Sequence, residues 1–183
     1  MKPIINRTAR VLVPIIVVAG WGLLATPLSL AQQTAETLKE QLVGTWKLVA
    51  YRAQRVGQKE WRETLGPDPK GYAAFTREGR YMHVLVAGGR KPPTNDADRA
   101  ALLKSMTAWS GRYTVVARDE LHILVDTSWS EGHRGERQTQ VRFANINGDR
   151  LILRTPPQIG ARAVTRTDTP HQSVTEFVFE REK

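Results

Sequence analysis

The chain has 183 residues, of which 40% are hydrophobic and 25% charged, and this balance is typical of one globular domain. Lysine and arginine outnumber the acidic residues by 27 to 18, so the chain favours anionic partners such as lipid headgroups, acidic polysaccharide or a carboxylate ligand. It contains no cysteine, which excludes a disulfide-braced domain, a thiol nucleophile and a lipidated cysteine.

Residues 1–31 have the layout of a secretory signal peptide. Three basic residues precede an uncharged apolar stretch that starts at Val11, and small residues stand at Ser29 and Ala31. We expect cleavage after Ala31, which leaves residues 32–183 as one exported domain in a periplasm or outside the cell. An uncleaved anchor is the alternative, because about twenty apolar residues can cross a bilayer. We expect no nucleic acid as a partner of an exported protein.

The next segment predicts a short amphipathic turn followed by a strand. Between Thr34 and Val43 the apolar residues recur at helical spacing, which indicates a lead-in or plug for the domain. Beyond it, apolar and polar residues alternate in about eight segments, as they do in half-buried strands. The predicted strands cover residues 44–51, 71–76, 80–87, 112–117, 121–128, 137–145, 150–155 and 174–181.

One substantial helix is predicted within the domain, after the hairpin that the predicted strands 71–76 and 80–87 form. Leu102, Leu103 and Met106 recur at helical spacing, and either Asp96 or Asp98 is a candidate N-cap. Further on, residues 156–172 are rich in Pro, Gly, Thr and Arg and predict a long loop, which is either a lid or a disordered segment. Regular short strands with tight turns predict an all-β, antiparallel up-and-down barrel or a sandwich.

Five short motifs together resemble one family. They are Gly44-Thr-Trp46, Gly66-Pro-Asp-Pro-Lys-Gly-Tyr72, Thr76-Arg-Glu-Gly79 followed by Tyr81-Met82, Gly111-Arg-Tyr113, and Gly148-Asp-Arg-Leu-Ile-Leu-Arg-Thr155. As a set they are similar to the bacterial lipocalin-like domain family, over residues 42–181. The resemblance implies a single lipocalin-like barrel of about eight strands with one short helix.

The resemblance also implies a structural plug at the closed end of the barrel. Trp46 would fill that end, and Arg181, near the end of the last strand, would lie over the indole in a cation–π contact. The alternative for Arg181 is a solvated arginine at the end of the chain.

A polar stripe marks one predicted strand. Gln138, Gln140 and Arg142 alternate with less polar residues, so one of the two faces points into the barrel. If the polar face points inward, Arg142 is a candidate to hold a ligand carboxylate, because a buried arginine needs an anionic partner. If it points outward, the stripe is a solvated surface. We predict that Met82, Tyr113 and Trp129 converge with Arg142 on one mouth.

The sequence contains no motif for a metal, a cofactor or a known hydrolytic site. Its histidines, at 83, 122, 133 and 171, are not spaced to bind one metal from a single element. Asp126, Ser128 and His133 contain the residue types of a hydrolytic set, but they lie too close together in the chain to be expected to form one.

These observations predict an exported protein that binds a small, largely apolar ligand, such as a fatty acid, inside its barrel. Two other interpretations stay open. One is a barrel enzyme of the isomerase or cyclase type that acts on an apolar substrate. The other is a basic module that binds an anionic envelope surface. The oligomeric state does not follow from the sequence.

Overall fold

The computed structural model describes residues 30–130, 132–133, 138–159 and 172–183, with the backbone alone for residues 30–34 and 159. The predicted signal peptide lies outside the described residues except for its last two positions. Residues 160–171, which make up most of the predicted long loop, also lie outside them.

Two helices and ten strands form within the described ranges. The helices are α1 (Leu30–Leu42) and α2 (Asp96–Lys104). The strands are β1 (Gly44–Arg55), β2 (Trp61–Glu63), β3 (Lys70–Phe75), β4 (Arg80–Val86), β5 (Met106–Val115), β6 (Glu120–Ser128), β7 (Thr139–Asn147), β8 (Arg150–Arg154), β9 (Gln158–Ile159) and β10 (Gln172–Arg181). Neither helix is long and apolar enough to span a membrane, a statement that covers the described part of the chain alone.

Eight of the strands close into an antiparallel barrel. Strands β1, β3, β4, β5, β6, β7, β8 and β10 pair in chain order, and β10 returns to pair with β1. The short strands β2 and β9 pair with β1 and β10, respectively, at one end of the barrel. The all-β up-and-down barrel predicted from the sequence is therefore confirmed. A barrel of this size has an interior just wide enough for side chains or one small ligand.

Alternation along each strand determines what faces the interior. In β4 the side chains of Tyr81, His83 and Leu85 are buried, whereas Met82 and Val84 between them are exposed. Successive residues of a strand point to opposite faces, so the buried set lines the barrel and the exposed set faces outward. The same pattern holds in β5 and β6.

Helix α1 and Trp46 close one end of the barrel. Trp46 is fully buried, and its indole N–H donates to the Leu42 carbonyl at 2.8 Å. The Arg181 guanidinium lies 4.1 Å from the centre of the Trp46 ring and donates to the Gln41 carbonyl at 2.7 Å. The last carbonyls of a helix have no partner within it, so these two side chains both plug the barrel and cap α1.

Gly44 permits this arrangement. Its backbone has φ of 135°, which side-chain-bearing residues rarely adopt, and a Cβ there would lie 2.9 Å from Arg181 Nη1. The glycine of the Gly-x-Trp motif therefore leaves room for the arginine that covers the tryptophan.

Three details differ from the sequence-based predictions. Helix α1 is a full helix rather than a short turn, and its side chains Leu38 and Leu42 join the core. Met106 belongs to β5, opposite Val86, because pairing with β4 continues to that position and overrides the helical spacing. The N-cap of α2 is Asn95, whose side chain accepts a hydrogen bond from the Asp98 amide at 2.9 Å.

Candidate functional site

The polar face of β7 points into the barrel. Arg142 is 5% exposed, whereas the adjacent Phe143 is 39% exposed on the outer surface. Ala144, two residues further along, is also buried, which places it on the same inward face. The sequence left the two orientations of this strand open, and the structure selects the one with a buried arginine.

Arg142 is held in the barrel by neutral groups. Its Nη1 donates to the Val141 carbonyl at 2.7 Å, and its Nη2 donates to Gln140 Oε1 at 3.2 Å. Its guanidinium carbon lies 5.9 Å from the Trp109 ring centre and 5.7 Å from that of Phe177. These contacts position the group without neutralising its charge.

No carboxylate within the described ranges forms a salt bridge with Arg142. Burial lowers the pKa of Arg142, and the nearby Tyr81 and Tyr51 partly oppose that shift. Arginine nevertheless remains a cation in proteins, because its unperturbed pKa lies far above neutral pH. The barrel interior therefore contains a positive charge that is shielded from water and has no counter-ion among the described residues.

His83 lies beside Arg142 and contacts the same two rings. Its imidazole is 4.6 Å from Trp109 and 6.2 Å from Phe177, measured between ring centres. His83 is 3% exposed, and its pKa is lowered to about 3, first by burial and then by the charges of Arg142 and His133. At neutral pH the site therefore combines one permanent cation with one neutral imidazole.

The hydrogen bonds of His83 determine its tautomer. Tyr81 Oη lies 2.8 Å from His83 Nδ1, and Thr107 Oγ1 lies 3.3 Å from His83 Nε2. Burial raises the pKa of Tyr81, so its hydroxyl keeps its proton. Among the described residues, His83 Nδ1 is the one acceptor for that proton. Tyr81 therefore donates to Nδ1, and the imidazole proton lies on Nε2 and is donated to Thr107.

The opposite tautomer would leave the Tyr81 hydroxyl without an acceptor in the core. A buried donor that loses its partner costs about 1–3 kcal/mol, which is enough to suppress that form. The hydrogen bonds thus run in one direction, from Tyr81 through His83 to Thr107.

Polar side chains continue from this site towards the open end of the barrel. Ser128 and His133 are joined by a hydrogen bond of 3.1 Å between Oγ and Nδ1, and the His133 ring centre lies 5.5 Å from that of Trp109. A bulge between Ser110 and Gly111 in the β5–β6 pairing turns Ser128 inward, opposite Trp109.

The same bulge separates Asp126 from the serine and histidine. Asp126 points to the outer surface, where it binds Arg80 and accepts from Ser110 at 3.2 Å. The three residue types of a hydrolytic set are therefore not assembled, as their spacing in the chain led us to expect. No cluster of metal-ligating side chains occurs in the part of the chain that the structure describes.

The four side chains predicted to share one mouth are spread over the barrel. Met82 is 45% exposed on the outer surface, so it does not line the interior. Tyr113 is buried towards the closed end, where its hydroxyl donates to the Thr76 carbonyl at 2.9 Å. Trp129 is half-buried just beyond β6. Arg142 alone belongs to the polar cluster that contains His83.

His83 is the residue that sequence reasoning missed. The available signal was its position between Tyr81 and Leu85, on the face of a strand that is otherwise apolar. A polar residue on a buried face needs a hydrogen-bond partner or a function. The partner, Thr107, is 24 residues away, and local spacing does not reveal it.

A family model described as a lipocalin-like domain matches residues 43–178 of the chain. The match starts one residue before β1 and extends into β10, so it includes all or part of every barrel strand. A comparison with curated proteins found no match.

Proposed function

We propose that this chain, which belongs to the lipocalin-like domain family, binds a small amphipathic anion inside its barrel, with Arg142 contacting the acid group. The observation that carries the proposal is the buried guanidinium of Arg142, which no described carboxylate neutralises. Burying a charge without an opposite charge is costly, so a ligand carboxylate would gain affinity by removing that cost.

The surroundings of Arg142 suit an acid with an apolar or planar body. The rings of Trp109 and Phe177 lie 5.9 and 5.7 Å from the guanidinium carbon, measured to the ring centres. Tyr51 stacks on Phe177 with ring centres 4.4 Å apart. Aromatic faces offer large contact areas to apolar groups, whereas the guanidinium provides directional hydrogen bonds to a carboxylate. A fatty acid or a related organic acid meets both requirements.

The test is binding of a fluorescent fatty-acid analogue and of its neutral methyl ester. We expect Arg142→Met to weaken binding of the acid about tenfold to a hundredfold, because a charge-assisted hydrogen bond contributes about 1.5–3 kcal/mol. Binding of the ester should change far less.

Arg112→Met provides a matched control. Arg112 lies exposed on the outer face of β5, so this variant removes the same charge without touching the interior. We expect it to bind both probes as the parent protein does. Equal binding of the acid to the Arg142 variant and the parent would rule out Arg142 as the acid-binding residue. If neither probe binds the folded protein, the interpretation as a module for anionic envelope surfaces takes precedence.

We further propose that the protein is exported and begins at Gln32 after cleavage. The charged start, the apolar stretch and the small residues before Gln32 support this proposal. Cleavage there would keep Leu38 and Leu42, the core residues of α1. N-terminal sequencing of the protein from its own host tests the cleavage site, and recovery of the full-length chain from membranes would indicate an anchor instead.

A further inference from the structure

We propose that the barrel recognises a second oxygen atom of its ligand through the Thr107 hydroxyl, so that the preferred acid carries an additional acceptor, as an oxo acid does. This inference rests on the proposed function, since it assumes that the acid group binds at Arg142. It adds a residue on a different strand and narrows the class of ligand.

The first step is the direction of the hydrogen bonds at His83. Tyr81 donates to Nδ1, and the proton on Nε2 is donated to Thr107 Oγ1. Thr107 therefore accepts at its oxygen and retains its own proton for donation. Within the described residues, that hydroxyl forms no hydrogen bond other than the one with the His83 nitrogen, which already carries a proton.

The second step is the position of Thr107. It lies two residues before Trp109 on β5 and contacts the inward-facing His83, so its side chain is on the interior face. Arg142 reaches the Trp109 ring from β7. His83, which donates to Thr107, also lies against the Trp109 ring, with ring centres 4.6 Å apart. The Arg142 guanidinium and the Thr107 hydroxyl are therefore two donors within one group of side chains around Trp109, and a ligand bound at Arg142 can present a second acceptor to Thr107.

The third step is the role of His83 and Tyr81. They have no free donor to offer a ligand, because each proton is already given to the next group along the chain of hydrogen bonds. They act as positioning residues that make Thr107 a donor rather than an acceptor. A ligand hydrogen-bond acceptor is therefore favoured at this position, and a plain alkyl chain leaves the Thr107 proton unpaired.

The binding experiment compares decanoate with a positional series of oxodecanoates by isothermal titration calorimetry. We expect at least one oxodecanoate to bind the parent protein about fivefold to tenfold more tightly than decanoate, as a neutral hydrogen bond of about 1 kcal/mol provides. Thr107→Ser, which keeps the hydroxyl, should preserve that preference. Thr107→Val, which replaces the hydroxyl by a methyl group of similar size, should abolish it.

Valine suits a strand as well as threonine does, so the Val variant should fold, and its melting temperature verifies this. The inference is overturned if no oxodecanoate is preferred by the parent protein, or if the preference persists in Thr107→Val. If acids bind but Arg142→Met leaves their affinity unchanged, the proposed function fails instead. If no acid binds the parent protein, both fail.

The tautomer of His83 gives a second test that needs no ligand. Nitrogen-15 NMR distinguishes a protonated imidazole nitrogen from an unprotonated one. We expect the proton on Nε2 in the parent protein and, because Nδ1 loses its donor, a changed Nδ1 resonance in Tyr81→Phe. A proton on Nδ1 in the parent protein would overturn the inference.

Discussion

At the scale of single residues, Arg142 and Trp46 serve different purposes. Trp46 is buried among apolar side chains, its indole nitrogen is hydrogen-bonded, and it stabilises the fold. Arg142 is buried among aromatic rings and neutral groups, with no described opposite charge. An uncompensated buried charge costs folding free energy, so its presence is better explained by binding than by stability.

We therefore expect Arg142→Met to stabilise the ligand-free protein. Replacing a buried charge by an apolar side chain of similar length is often neutral or stabilising by about 1–4 kcal/mol. Chemical denaturation of the ligand-free parent and variant measures the difference. A loss of several kcal/mol would show that Arg142 is a structural residue, held by its bonds to Val141 and Gln140. A gain in stability together with lost acid binding would show that Arg142 lowers the stability of the ligand-free protein and serves to bind the acid.

Trp46→Ala should lower the free energy of unfolding by about 3–5 kcal/mol, because it leaves a large cavity at the closed end of the barrel. Arg181→Met should cost less, about 0.5–2 kcal/mol, as expected for loss of a cation–π contact at a partly exposed site. Thermal and chemical denaturation test both variants. A Trp46 variant that melts like the parent would contradict the assignment of this residue as a plug.

At the scale of elements, helix α2 differs from the rest of the domain. None of its side chains is buried, so packing contributes little to it and its end groups matter more. Asn95 caps the amide of Asp98, while the Asp98 carboxylate accepts from Thr94 on its other side, at 3.0 Å from the amide and 2.7 Å from the hydroxyl. Both predicted caps, Asp96 and Asp98, lie inside the helix.

Asn95→Ala should destabilise α2 by about 0.5–2 kcal/mol, the usual effect of removing an N-cap. Because the helix has no buried side chain, we expect the loss to be local. Hydrogen exchange of the α2 amides should accelerate while the melting temperature of the barrel stays nearly constant. Asp96→Ala is a suitable comparison, since Asp96 does not form the cap. An equal effect of both variants would contradict the assignment of Asn95.

At the scale of the whole molecule, closure of the barrel depends on β10, which pairs with both β1 and β8. Glu176 of β10 lies directly opposite Arg52 of β1 and Arg154 of β8 on the outer face. Its carboxylate is fully buried beneath them and accepts from Arg52 Nε at 2.8 Å and from Arg154 Nε at 2.5 Å. Opposite charges in direct cross-strand pairs stabilise a sheet. Arg52, Glu176 and Arg154 therefore stabilise the pairing of β10 with β1 and β8.

We expect Glu176→Gln to destabilise the protein by about 1–3 kcal/mol near neutral pH. Burial by itself raises the pKa of Glu176, but hydrogen bonds from Arg52 and Arg154 outweigh burial, and the pKa lies below its ordinary value. A lowered folded-state pKa means that the stabilisation is complete above the unfolded pKa of about 4.3 and is lost as the pH falls through the folded value.

The measurement is the free energy of unfolding of parent and variant across the acidic range. The difference between the two should be constant from neutral pH to about 4.3 and shrink below it. Asp126→Asn, at an exposed pair with Arg80, is the control with a smaller expected effect. A difference that stays constant into strong acid would contradict the role of the Glu176 charge.

Local patterns in the chain were sufficient to predict the class of fold. Alternating apolar residues identified all eight barrel strands, because the period of two follows directly from strand geometry. The five short motifs led to the family, and that resemblance implied the contact between Arg181 and Trp46 that the structure contains.

Contacts between residues that are far apart in the sequence could be identified only in the folded structure. The alternation of residues divides a strand into two faces but does not show which face is inside. The burial of Arg142 and the exposure of Met82 are therefore determined by how the strands close into the barrel. The bulge that separates Asp126 from Ser128, and the hydrogen bond from His83 to Thr107, depend on how neighbouring strands align. Register is a property of paired strands, and the sequence of one strand does not predict it.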